Sequence, residues 1–470
     1  MVIFMNAAES SSLGTEKLSK LMLKYSIPCV LSLLVSALYN IVDQIFIGNS
    51  ELSTLGNAAT GVVFPFFIVA QAFAWCFGDG CAAYLNLCLG KKDMQSADKA
   101  IGTGITVTCL TGLLLVVLGY LLKAPLLTLF GASENSLGMA IEYLEVILAF
   151  FPFFMLSNMM NSVIRADGSP TCSMVSMLVG AAINLVLDPL FIFGFHWGMA
   201  GAAWATVIGQ FASFLICVWY FFRTRTFRLH PRSLLPDFRA FAGALKLGLS
   251  SFVTQMTILV IVLVSNRMLV RYGAVSQYGV DIPIAVMGIE NKVFTVVINI
   301  VVGIVLGCQP VIGYNIGARN YARVRRLFRQ ILLCTTIVGV AATLLFVLAP
   351  HMVVRMFGVP TNIPNPDDYW LFAEKTFRIF LSLTTFTCIV KVSSIFFQAA
   401  GKPVRAVVAS MVRDILCFIP LILLLPRFFG IEGILYAAPA ADMLAMLVSG
   451  VLMIDYFRRL RNDAPAIALE

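Results

Sequence analysis

Charge is scarce in this chain. Asp, Glu, Lys and Arg supply 12% of its 470 residues, about half of what a soluble domain carries, so a water-facing globular fold is excluded. Histidine is scarcer still. His196, His230 and His351 are the full complement; they lie scattered in expected loops, which excludes paired-histidine metal centres and the usual catalytic constellations, so the chain is not expected to be an enzyme or to carry a cofactor. The eleven cysteines, among them Cys76, Cys81, Cys88 and Cys308, show no metal-ligand spacing and read as small apolar packing residues. No cleaved signal peptide is expected, because the apolar run Met1 to Met5 is too short and Glu9 follows it, and the first long apolar segment is expected to direct membrane insertion.

What fills the chain instead is hydrocarbon. Hydrophobic residues reach 60% and the mean hydropathy is +0.91, the composition of an all-α polytopic membrane protein. Crossing ~30 Å of lipid takes about 20 helical residues, and about twelve segments qualify. They run 21–47, 57–89, 100–122, 137–164, 171–195, 199–222, 245–270, 282–314, 327–348, 371–397, 404–425 and 431–456.

Short loops rich in Lys and Arg stay in the cytoplasm. Basic residues gather at Lys17, Lys20 and Lys24, at Lys91 and Lys92, at Arg165, between Arg223 and Arg232, between Arg319 and Arg326, at Lys402 and Arg405, and at Arg458, Arg459 and Arg461. The alternate loops hold fewer. Both termini are therefore expected in the cytoplasm of a bacterial cell, and the net charge of +9 is explained by topology and anionic lipid rather than nucleic acid.

The two halves resemble each other. Leu89-Gly90 pairs with Ile316-Gly317 and Phe130-Gly131 with Phe357-Gly358, each at a separation of 227 residues. Ala166 to Pro170 and Gly198 to Gly201 pair with Ala399 to Pro403 and Gly430 to Gly433. Such a repeat implies two six-helix lobes, and an even number of spans in each makes them share one orientation, related by a pseudo-two-fold axis along the membrane normal. The expected division is 1–20 as an N-terminal cytoplasmic segment, 21–222 and 243–457 as the lobes, 223–242 as a solvated cytoplasmic linker, and 458–470 as a cytoplasmic tail.

Asp188 lies within the apolar stretch from Ala181 to Phe193, with Asn184 one turn earlier and Pro189 next to it. An acid at the centre of a span costs about 2.5–3.5 kcal/mol or more and is read by default as part of an ion or substrate path. Pro189 adds to this by removing a backbone donor and freeing a carbonyl one turn earlier. Aligning Pro189 with Pro420 sets Ile419 and Ile415 opposite Asp188 and Asn184, so the second half keeps its fold without these polar groups. Asp79 either lines the cavity or is merely hydrated. Glu290 and Asp442 sit near mid-depth, where Lys292, Lys391 and the pair Arg413-Asp414 are placed to neutralise them.

Tyr39-Asn40 to Asp43 with Ile47-Gly48, Leu89-Gly90, Arg165 to Pro170, Asn184 to Pro189, Gln309-Pro310 and Gly313 to Gly317 together resemble the MATE family of multidrug and toxic compound extrusion antiporters, in its MepA- and DinF-like branch. The resemblance covers essentially the whole length. It implies a first-lobe proton or cation site built from Asp43, Tyr143, Asn184, Asp188 and Thr206. Helix rise sets Asp43, Tyr143, Asp188 and Thr206 each within about 12 Å of the outer end of its span. A proton on Asp188 or Asp43 is one coupling chemistry. The other is sodium held by the oxygens of Asp43, Asn184, Asp188 and Thr206, and the sequence does not separate them. The seventh span carries no acid, unlike family members with a second-lobe cation site.

The same resemblance implies export of bulky, often cationic drugs by a protein read as a monomer in the bilayer. Phe64, Phe66, Phe67, Phe153, Phe154, Met155, Met159 and Met160 would form a polarizable wall, with Gln71, Asn158 and Asn161 as polar anchors and Asp79 and Glu290 as further lining groups. A lipid-linked saccharide flippase of the same superfamily is the alternative; it favours a basic cavity, whereas this first lobe offers acids.

Overall fold

The computed structural model describes residues 13–48, 50, 53–132, 134–356 and 366–462, so the Phe357-Gly358 landmark and the Met1 to Met5 run lie outside the described residues. The architecture is all-α. In chain order the helices are α1 (Leu18–Gly48), α2 (Ser53–Lys91), α3 (Met94–Leu129), α4 (Glu134–Ala149), α5 (Phe151–Ala166), α6 (Pro170–Pro189), α7 (Gly198–Phe221), α8 (Phe238–Gly273), α9 (Asp281–Gly317) and α10 (Tyr321–Leu348). There follow α11 (Pro350–Arg355), α12 (Pro366–Phe380), α13 (Thr384–Ala399), α14 (Pro403–Met411), α15 (Ile419–Leu424), α16 (Pro426–Phe429) and α17 (Glu432–Asn462). Ten helices among the described residues are long and apolar enough to cross a membrane, and two bent pairs bring the number to twelve when each pair is one span.

The bends have local causes. The expected span 137–164 is two helices meeting at 57°, because Pro152 in the first turn of α5 has no N–H for the carbonyl one turn back. The expected span 371–397 bends by 47° between α12 and α13. There the Ser382 hydroxyl donates to the Ile379 carbonyl at 2.7 Å and the Thr384 hydroxyl to Leu381 at 2.8 Å, side-chain bonds that compete with the helical ladder.

Proline also marks the end of α6. Past Pro189 the chain widens into a π-helical turn, Leu190–Gly194, closed by the Phe195 N–H on the Leu190 carbonyl at 2.9 Å. A second π-helical turn, Val412–Phe418, precedes Pro420 in the other half. Turns of this kind loosen the i to i−4 ladder and collect at functional positions.

The chain divides into two compact units. The first reaches to Gln255 and takes in Leu306–Asn320 and Gln398–Pro403; the second comprises Met256–Val305, Tyr321–Phe397 and the chain from Val404 onward. In the first, one core gathers Val63, Leu144, Ile147 and Met155 and another Cys81, Leu85, Ile101 and Val163. The second is centred on Phe346, Phe372, Phe377 and Ile434. Glycine permits the closest helix approach. A Cβ at Gly209 would lie 2.5 Å from the Gly180 carbonyl oxygen, and one at Gly180 would lie 2.8 Å from that of Gly209, so α6 and α7 cross backbone on backbone.

The segment expected as a solvated linker carries exposed side chains on a bonded backbone. Its backbone bonds to α3: the Thr106 hydroxyl donates to the Leu234 carbonyl at 2.7 Å, and the Asp237 N–H donates to the Thr103 hydroxyl at 2.9 Å. Phe227 is buried. The segment's backbone polar groups find partners on the helix beside it while its arginines face outward.

Candidate functional site

The α6–α7 crossing sets the polar site. A Cβ on Gly209 would lie 3.3 Å from the Cβ of Asn184, so only a residue without a side chain lets the two helices come this close. Asn184 Nδ2 then donates to Thr206 Oγ1 on α7 at 3.4 Å. The Tyr143 hydroxyl, from α4, has Thr206 as a hydrogen-bond neighbour and the carboxyls of Asp43 and Asp188 and the hydroxyl of Tyr39 within electrostatic reach. Asp188 has Asp43, from α1, and Asn184 as its polar neighbours. The five residues expected to act together do lie together, supplied by four helices.

The cluster is buried and short of partners. Asp188 is 1% exposed, Asn184 3%, Tyr143 5% and Thr206 8%. Both oxygens of Asp188 and Oδ1 of Asp43 are buried with no hydrogen-bond partner. Native structures leave few polar groups so. Among the described residues no basic side chain acts on either carboxyl. Two like charges in low dielectric repel strongly, so the pair calls for a proton or a cation between them. The donor set, two carboxylates, an amide and a hydroxyl, is all oxygen and suits a hard cation such as sodium as well.

Other acids and polar anchors are placed differently. Asp79 accepts from Ser162 at 2.8 Å and Ser251 at 2.9 Å, with Arg165 at 3.8 Å, and Gln398 donates to Ser251 at 3.0 Å. It is a fully partnered buried acid. Asn161 accepts from Ser173 and Ser176 at 2.9 and 2.8 Å and donates to the Ser157 carbonyl, so it ties α5 to α6. Asn158 donates to Phe154 within its own helix, Met155 is wholly buried in the core, and Gln71 is half-buried. None of these five belongs to the Asp43–Asp188 cluster.

Comparison with known proteins decides the lineage. The MatE family model matches residues 28–190 and 251–424, one block in each half. The chain belongs to the MatE family. Among curated MatE relatives, the multidrug export protein MepA of Staphylococcus haemolyticus (strain JCSC1435) is 25% identical over 450 residues, 95% of this chain and 96% of that protein. The MATE multidrug transporter DinF-BH, solved as a ligand complex, is 31% identical, with a TM-score of 0.86 over 94% of this chain and 96% of that one. A MATE structure in complex with MaL6 shares the fold, with a TM-score of 0.87 at 21% identity over 96% of this chain and 99% of that one. The fold is thus the two-lobed MatE architecture of transporters, not of enzymes.

In this MatE chain the second half pairs two of its buried acids, Asp414 and Asp442, with basic side chains. Arg413 donates to Asp442 at 2.8 Å and to Asp414 at 2.9 Å, Lys391 donates to Asp414 at 3.0 Å, and the Thr387 hydroxyl donates to Asp442 at 2.8 Å. Glu290 is 2% exposed, and its Oε1 has no hydrogen-bond partner. Two groups escaped the reading of site residues. Tyr39 stands one turn before Asp43 on α1, and its i, i+4 spacing was the available signal. Asp167 accepts from the N–H groups of Arg225 and Thr226 at 2.8 and 2.7 Å and from the Tyr220 hydroxyl at 2.7 Å; no local pattern announces partners nearly sixty residues away.

Proposed function

We propose that this chain is a secondary active multidrug efflux antiporter that exports bulky, often cationic organic compounds in exchange for protons or sodium, by alternating access. The observation that carries the reading is the Asp43–Asp188 pair, set among Asn184, Tyr143 and Thr206 with Asp188 buried and, among the described residues, no basic side chain acting on either carboxyl. Family membership and the names of the relatives, a multidrug export protein and a multidrug transporter, support the cargo class. The pair accepts a proton or a sodium ion from outside. Drug loading from the inside and ion release to the inside then alternate, and each charge moving down 100 mV supplies about 2.3 kcal/mol.

On this reading the protein works as a monomer in the bacterial cytoplasmic membrane, with both termini cytoplasmic and lobes of residues 21–222 and 243–457. It needs no cofactor beyond the coupling ion. Gln71, Asp79, Met155, Asn158, Asn161 and Glu290 are proposed to line the drug path, Asp79 and Asn161 through the networks they hold. The test is transport of a cationic dye in proteoliposomes under an imposed proton gradient alone or a sodium gradient alone. One of the two should drive dye movement. Movement under neither, with protein that is folded and inserted, would remove the antiporter assignment.

A further inference from the structure

The segment joining the halves is held in place at both ends with its arginines facing outward. Asp167, 1% exposed, takes the N–H groups of Arg225 and Thr226, and Asp98 takes that of Arg228 at 3.2 Å. Further on, the Ser233 carbonyl lies against Gly102, where a Cβ would come within 2.0 Å of its oxygen. Asp237 accepts from the Ala240 N–H at 3.2 Å and pairs with Lys99 at 3.4 Å; these bonds, the backbone one foremost, hold its carboxyl below the usual range. The backbone is therefore fixed. The side chains of Arg223, Arg225, Arg228, Arg232 and Arg239 are exposed.

Large apolar groups stand exposed among these arginines. Phe222 is 86% exposed, Leu235 and Phe238 68%, and Leu234 42%. Their depth can be read from α3. Lys99 is the last charge before the apolar run that opens at Ala100, and Thr106, which bonds Leu234, lies about 10 Å further along the helix. The strap thus spans the boundary between headgroups and acyl chains. Trp219, with the Arg223 guanidinium 4.6 Å over its ring, has the aromatic-and-cation character of that boundary. Asp237, the acid within this stretch, is already engaged by Lys99.

We propose that residues 222–239 form an interfacial strap that binds anionic phospholipid headgroups, its arginines on the phosphates and Leu234, Leu235 and Phe238 among the first acyl carbons. Charge complementarity selects the occupant: an arginine row over an apolar edge fits an anionic lipid surface and leaves a zwitterionic one less favoured. The inference goes beyond antiport and stands on the strap alone.

The probe is phosphatidylglycerol brominated on its acyl chains, compared with brominated phosphatidylcholine at equal density, with quenching of Trp219 read in a variant keeping that tryptophan alone. Quenching should favour phosphatidylglycerol, and the preference should shrink as salt rises. Arg228→Gln, Arg232→Gln and Arg239→Gln should each lower it about fivefold, with thermal unfolding unchanged. Native mass spectrometry of the wild-type protein in mixed micelles gives a second readout that needs no substitution: more phosphatidylglycerol than phosphatidylcholine should stay bound. Equal quenching by the two lipids, equal retention in the wild type, or a preference untouched in a folded triple variant would each overturn the proposal.

Discussion

The helix before each repeat's proline is where the two halves part company. In the first half α6 presents Asn184 and Asp188 ahead of Pro189, with Asp188 buried and unpartnered. In the second, the aligned positions are Ile415 and Ile419, and the nearby acids Asp414 and Asp442 are held by Arg413 and Lys391. Both halves place acids in a low-dielectric interior, and both carry a π-helical turn there. At these two helices the difference lies in the counter-charge. An acid paired permanently with arginine is fixed in one ionic state and serves the fold, whereas an acid without a basic partner can exchange a proton or a small cation.

Substitutions in the two halves sharpen this contrast. Asp188→Asn should insert and fold normally yet reduce dye export to background, read as efflux from cells matched for surface expression. Asp43→Asn should impair export comparably, because the pair acts as a unit. Asp442→Asn should act on the fold instead, lowering the unfolding temperature and yield by an amount corresponding to about 3–5 kcal/mol, since it strands part of a buried guanidinium. The protein that remains should keep its ion coupling. A stable Asp442→Asn protein that had lost coupling would erase the contrast between the halves.

Smaller effects probe the scaffold. Gly209→Ala forces a Cβ to within 2.5 Å of the Gly180 carbonyl oxygen and should cost about 1–3 kcal/mol of stability while moving Thr206 away from Asn184; thermal unfolding and ion affinity should fall together. Thr206→Val removes one hydroxyl and should weaken ion binding only severalfold, as expected for about 1 kcal/mol from one hydrogen bond, measured as the ion concentration giving half-maximal exchange.

Much of the fold could be read in the sequence because bilayer thickness fixes span length, and the buried acid stood out because hydrocarbon makes charge conspicuous. The bends at Pro152 and Ser382 could not be placed, since a proline or serine inside an apolar run bends, widens or leaves a helix straight according to what satisfies its freed carbonyl. Asp43, Tyr143, Asp188 and Thr206 could be grouped by depth, and Asn184 with them by family resemblance. The state of Asp79 could not, because Ser162, Arg165 and Ser251, which surround it, come from α5 and α8. The strap's packing was hidden for the same reason: arginines in a loop look alike whether the backbone beneath them is free or bonded to Thr103 and Thr106.

The most direct test of the account is ion flux itself. Reconstituted wild-type protein, given an outwardly directed gradient of cationic dye and no other gradient, should draw protons or sodium in the opposite direction, and Asp442→Asn should do so per folded molecule at a similar ratio. Asp188→Asn should show none. Dye-driven counterflow persisting in Asp188→Asn at the wild-type ratio would contradict the claim that the unpaired first-half acid carries the coupling ion.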